Sequence, residues 1–177
     1  MISSAIDRLR ARREALLALF SALAIAIHAF EFLLPSPVPW LRPGLANILT
    51  LCALFLYGGR AAWLVALTRI CLGGLLLGTL LSPTFFLALS GGVAATAMMT
   101  LAHMLAGGRL GTVGISVLGA AGHILGQLLM AAWLLRHPGV WRLFPPLLML
   151  AVVTGAFNGL AADLLLQRLR LRLARCP

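Results

Sequence analysis

The chain is poor in the residues that keep proteins in water. It contains no lysine, four acidic residues and one tyrosine in 177 positions, and only 10% of its residues are charged. Soluble domains carry roughly 25%. The four acids, Asp7, Glu14, Glu31 and Asp163, do not form the acidic clusters that hold magnesium against a diphosphate. There is no glycine-rich phosphate loop and no serine or cysteine nucleophile constellation, so neither an independent enzyme nor an ATP-driven motor within this chain is expected. The three cysteines, Cys52, Cys71 and Cys176, show no CxxC or Cys/His spacing and define neither a disulfide framework nor a zinc site. His28, His103 and His123 have no partner at i+3 or i+4 that would make a metal or haem pair, so no metal and no cofactor is assigned.

What is present is apolar. Hydrophobic residues make up 62% of the chain, and mean hydropathy is +1.04. This composition describes an integral, multi-pass membrane protein. At about 20 residues per span, the length suits a single all-α domain of about six transmembrane helices. The expected spans are 15–34, 44–57, 61–81, 84–105, 112–135 and 144–166, separated by Gly-, Pro- and Arg-bearing turns. Residues 1–14 read as a basic amphipathic lead-in and 168–177 as a basic tail. Six spans place both termini on one side. With that allocation Arg8, Arg10, Arg12, Arg13, Arg60, Arg109, Arg168, Arg170, Arg172 and Arg175 fall on the terminal face, and Arg42, Arg136 and Arg142 on the other. The arginine bias makes both termini cytoplasmic. The net charge of +10 is therefore a topology signal with anionic lipid as its partner, and it gives no reason to expect nucleic acid. Trp40, Trp63, Trp133 and Trp141 all fall near span ends, as an interfacial aromatic belt requires.

One stretch interrupts the apolar pattern. PSPVPWLRPGLANILTL, at 35–51, holds four prolines between two spans, and proline removes a donor and fixes φ, so neither flanking helix continues through it. It carries Arg42 and Asn47 toward the second span. Glu31, near the end of the first span, is the expected partner of Arg42. Charged groups at membrane depth cost about 2.5 to 3.5 kcal/mol on insertion scales, so each needs a counterpart. Arg69 and Asp163 are expected to form a structural ion pair with Asn158 beside them. His123 and Gln127, one turn apart on the fifth span, are expected to contribute to a central polar pocket facing His28 or Asn47. Glu31, Arg42, Asn47, His123, Gln127 and Asn158 are thus the candidate ligand contacts.

Helices in lipid approach closely through small residues. Ala18, Ala22 and Ala26 form a stripe at i, i+4 and i+8 on the first span, suited either to packing within the bundle or to docking on a partner helix. Gly74/Gly78, Gly122/Gly126 and Gly155/Gly159 are GxxxG pairs.

The segments EFLLPSPVPWLRPGLANILTL (31–51), ALTRICLGGLLLGTLLSPTFFLALSGG (66–92), GISVLGAAGHILGQL (114–128) and TGAFNGLAADLLL (154–166) resemble the bacterial Gx transporter family, whose members carry the label heptaprenyl diphosphate synthase component I. The resemblance implies a fold similar to the six-helix substrate-binding S components of energy-coupling factor transporters. The first helix of those proteins docks on a coupling subunit through a small-residue stripe, which Ala18, Ala22 and Ala26 match. It also implies residence in the bacterial cytoplasmic (inner) membrane and solutes related to flavin, prenyl or quinone groups. The synthase label conflicts with the missing aspartate motifs, so at most a non-catalytic component is expected. The leading reading is a binding and translocation subunit for a small, partly apolar solute, energised by other membrane subunits. The alternative is an accessory subunit of an isoprenoid, quinone or flavin-linked electron-transfer system.

Overall fold

A computed structural model describes residues 2–33 and 44–175. Most of the proline-rich stretch, with Trp40 and Arg42, lies outside the described residues, as does Cys176. The described chain forms α1 (Ile2–Leu33), α2 (Asn47–Tyr57), α3 (Gly59–Leu76), α4 (Pro83–Ala106), α5 (Thr112–Leu135), a 3-10 helix (Pro138–Leu143) and α6 (Phe144–Arg175). Among the described residues there is no strand, and the architecture is all-α.

Five helices, α1 and α3 to α6, are long and apolar enough to cross a membrane. The sixth expected span differs. α2 has 11 residues, a rise of about 16 Å against a hydrocarbon core of about 30 Å. It starts at Asn47 because Gly44 takes a left-handed conformation (φ 67°) and Leu45–Ala46 form a turn. α1 and α6 err the other way: each is 32 residues, about 48 Å, so the basic lead-in and much of the basic tail continue the neighbouring helices without a break. No glycine or proline interrupts either stretch. α3 stops at Leu76, where Gly78 (φ 65°) and Leu81 (φ 63°) reverse the chain. α4 restarts at Pro83, with the Ser82 hydroxyl accepting the Phe85 N–H at 3.3 Å. α5 spans 112–135 as expected, bounded by Gly111 and by left-handed Arg136.

The helices alternate in direction. At one end of the bundle Arg13 of α1 lies over the Tyr57 ring of α2 (5.8 Å), Phe55 stacks edge-on to His103 of α4 (4.9 Å), and Thr112 of α5 donates to Asp163 of α6 (3.0 Å). Among the described residues, the start of α1 and the end of α6 lie toward this proximal end. The turn at 77–82 and the 3-10 helix lie at the distal end.

Exposure is inverted relative to a water-soluble domain. Leu33, Met104, Leu105, Trp133, Met149 and Phe157 face outward, whereas Glu31, Arg69, Thr96, Ser116 and Asn158 are buried. This suits a lipid surround, in which apolar burial gives no advantage and close packing holds helices together. α5 packs between α4 and α6. A Cβ on Gly126 would stand 2.5 Å from the Ser90 carbonyl oxygen of α4, and one on Gly159 would stand 2.5 Å from the Val113 Cα of α5. The pairs Gly122/Gly126 and Gly155/Gly159 therefore bring backbones together. Gly74/Gly78 does not act as a pair. Gly74 abuts Phe85, but Gly78 has open space around it and serves the turn. The apolar core, which includes Leu51, Cys52, Leu54, Val65, Met99 and Ile115, fills the proximal half.

Candidate functional site

The distal half of the bundle holds the polar side chains. Each arrives there for a local reason. Glu31 ends α1 and accepts the Leu45 backbone N–H at 2.7 Å, tying the start of the turn before α2 to α1. From the other side Asn158 of α6 donates to the Gly44 carbonyl at 3.3 Å. These two bonds fix the Gly44–Leu45 turn and hence the position of Asn47, the first residue of α2. Asn47 in turn accepts from the Arg69 guanidinium at 3.1 Å. The Glu31 carboxylate is close enough to act electrostatically on Arg69 as well.

Two glycines make room for the histidines. His28 of α1 lies against Gly73 of α3, where a Cβ would come within 2.9 Å of the imidazole. His123 and Gln127 of α5 lie against Gly91 of α4, where a Cβ would stand 2.9 Å from the His123 ring and 2.7 Å from Gln127. Any larger residue at either place would push the ring out of the site.

The side chains enclose a cavity of about 80 Å³ walled by His28, Glu31, Asn47, Arg69, His123 and Gln127, with Thr84 at the start of α4. Asn47 and His123 also wall a second cavity of about 160 Å³, completed by Thr154 and Asn158 of α6. A third, of about 440 Å³, is almost wholly apolar and runs along α4, α5, the 3-10 helix and the start of α6. Among the described residues, Arg69 Nε is buried without a hydrogen-bond partner, and the His123 imidazole lies beside it on the cavity wall. Unpartnered buried polar atoms cost about 1 to 3 kcal/mol each, and native structures hold few of them. The site therefore offers a buried guanidinium donor and an imidazole nitrogen to whatever enters.

Five of the six expected contacts, Glu31, Asn47, His123, Gln127 and Asn158, converge on these two polar cavities. Arg42 lies outside the described residues, and so does its expected pairing with Glu31; the Leu45 N–H is bonded to one oxygen of the Glu31 carboxylate. The expected Arg69–Asp163 pair is replaced by other partners. Arg69 faces Asn47 and Glu31, while Asp163 accepts from Thr112 (3.0 Å) and Gln167 (2.9 Å). The reason is depth. Asp163 is level with the first residue of α5 at the proximal end, whereas Arg69 is ten residues into α3, about 15 Å along it. Arg69 thus moves from an ion pair elsewhere into the cavity wall. Sequence reasoning also passed over Gly44 and Thr84, which carry no polar signal distinct from ordinary turn and cap residues. Ala18, Ala22 and Ala26 are all exposed, on the outward face of α1. Among the described residues no three His, Cys, Asp or Glu side chains converge as metal ligands.

The family described as heptaprenyl diphosphate synthase component I matches residues 20–165, which include every helix from the second half of α1 to Asp163 and Leu165 of α6. Comparison with curated proteins and with solved structures gives no match.

Proposed function

The chain belongs to the heptaprenyl diphosphate synthase component I family, and from that premise we propose that it is a non-catalytic binding subunit of the bacterial cytoplasmic membrane. In this reading α2 completes a six-helix bundle with cytoplasmic termini, consistent with the arginine-rich proximal end. A small, partly apolar solute enters the polar cavities from the distal side, and separate subunits energise its translocation, in the manner of energy-coupling factor S components. The observation that carries the reading is the buried, unpartnered Arg69 Nε beside Asn47, His123 and Gln127 on a cavity wall to which five helices contribute. A solute oxygen that accepts from Arg69 Nε satisfies this buried donor.

A non-catalytic role suits the wall chemistry. Glu31 is the single carboxylate among the described residues of the wall, and it is engaged by the Leu45 N–H. The outward Ala18, Ala22 and Ala26 stripe supports docking on a partner helix, and the family's name, which speaks of one component, supports partner subunits. That name also favours a second reading, an accessory subunit of an isoprenoid or quinone system in which no solute crosses. Copurification in mild detergent separates the two: ATPase subunits support transport, and a prenyl-transfer or redox partner supports the accessory role.

The binding claim is tested with Asn47→Ala and His123→Ala in purified protein, scored by thermal shift with riboflavin, a short-chain quinone and a prenyl alcohol. The expected result is an upward shift for one class in the parent that both substitutions abolish. Equal shifts in parent and variants remove the site.

A further inference from the structure

Resting on the binding reading above, we propose that the solute is a single-chain amphiphile that enters sideways from the bilayer, its compact oxygen-bearing head in the polar cavity and its hydrocarbon tail in the apolar groove.

The groove and the polar cavity share walls. Thr84, Leu87 and Gln127 line both, and Ile124 and Leu147 are shared between the groove and the second polar cavity. Polarity is thus confined to one end of the groove: beyond Thr84 and Gln127 its walls are Leu128, Ala131, Leu134, Leu143 and their apolar neighbours. At about 440 Å³ it is within the range of ordinary ligand pockets, whereas the polar cavities of about 80 and 160 Å³ are smaller and suit a compact head.

The groove's far wall faces outward. Leu135 is 66% exposed and Leu143 43% exposed, so the groove at the end of α5 and the 3-10 helix borders the lipid, the side from which a chain would enter. A bilayer phospholipid would leave its polar head at the interface and present two tails to one groove. Arg69, 5% exposed and with its Nε unpartnered, instead draws an acceptor oxygen into the bundle. Gln127 marks the junction, since it lines both the polar cavity and the groove and its helix continues along the groove. Head and tail are therefore recognised by different residues, which makes their contributions separable.

The probe is palmitate carrying a diazirine at its terminal carbon, added to the protein in phosphatidylcholine nanodiscs, irradiated, and mapped by peptide mass spectrometry. The expected labels fall on the groove wall between Ile124 and Leu147, and excess unlabelled palmitate removes them. Ala131→Trp, which fills the groove, lowers the yield at least tenfold, as does Arg69→Gln at the head. Leu134→Trp, at the exposed rim, replaces Ala131→Trp if that variant does not fold. Labels absent, or scattered over outward residues such as Met104 and Phe157 and resistant to competition, mean annular lipid only and overturn the proposal. Labelling that survives Ala131→Trp but is lost in Asn47→Ala overturns the tail assignment and leaves the polar site standing. Labelling that survives both overturns the two together.

Discussion

The reassignment of Arg69 from Asp163 to Glu31 and Asn47 can be measured as a coupling energy. Glu31 and Arg69 are 4% and 5% exposed, and the guanidinium donates to Asn47 at 3.1 Å. Arg69→Gln removes a buried positive charge that interacts with Glu31 and leaves Asn47 Oδ1 without that donor. Removing one partner of a buried charged pair costs about 3 to 5 kcal/mol. Glu31→Gln costs less, about 1 to 3 kcal/mol, because the amide oxygen still accepts the Leu45 N–H while Arg69 loses its acid. In the double variant neither charge is stranded, so the combined loss falls short of the sum by about 1 to 3 kcal/mol. The assay is equilibrium unfolding in mixed detergent micelles followed by tryptophan fluorescence. The matching cycle of Arg69→Gln with Asp163→Asn is the control. These two residues share no partner among the described residues, so their effects add to within about 0.5 kcal/mol. Additive Glu31 and Arg69 effects together with a coupled Arg69 and Asp163 would refute the placement of the guanidinium.

Gly159→Ala sets a Cβ 2.5 Å from Val113 Cα and is expected to destabilise by about 1 to 3 kcal/mol, whereas Gly114→Ala, with its nearest neighbour at 3.4 Å, is expected to be neutral or stabilising by up to about 1 kcal/mol in the same unfolding assay. Asn158→Ala removes the donor to the Gly44 carbonyl and costs about 0.5 to 1.5 kcal/mol, with solute binding lost alongside because Asn47 is no longer held in register. Ala22→Leu on the outward face of α1 changes stability by less than about 0.5 kcal/mol but abolishes copurification of the docking partner.

Much of this arrangement could be read from the residues, and the failures have physical causes. α5 was legible to the residue because Gly111 and Arg136 punctuate an otherwise unbroken apolar run. Glu31, Asn47, His123 and Gln127 stood out because a polar group at membrane depth is expensive wherever it points. The composition of 1–14 and 168–175 suggested separate segments, yet helical hydrogen bonding ignores a change from apolar to basic when no Gly or Pro intervenes. Spacing marked Gly74/Gly78 as a packing pair, but spacing is blind to φ, and Gly78 is spent on a turn. The partner of Arg69 is not legible because sequence spacing does not fix the relative depth of side chains on α3 and α6, and α6 runs on through the basic tail to Arg175. The Glu31 to Leu45 bond had no signature, since its donor is backbone.

The most direct test of the central claim, that the cavities around Asn47 and His123 hold a solute, is mass spectrometry of the small molecules released from the protein purified out of bacterial membranes, compared with Asn47→Ala/His123→Ala prepared alongside. The account predicts a compound at near-stoichiometric amount in the parent and at least tenfold depleted in the variant. The same compounds in the same amounts from both would contradict it.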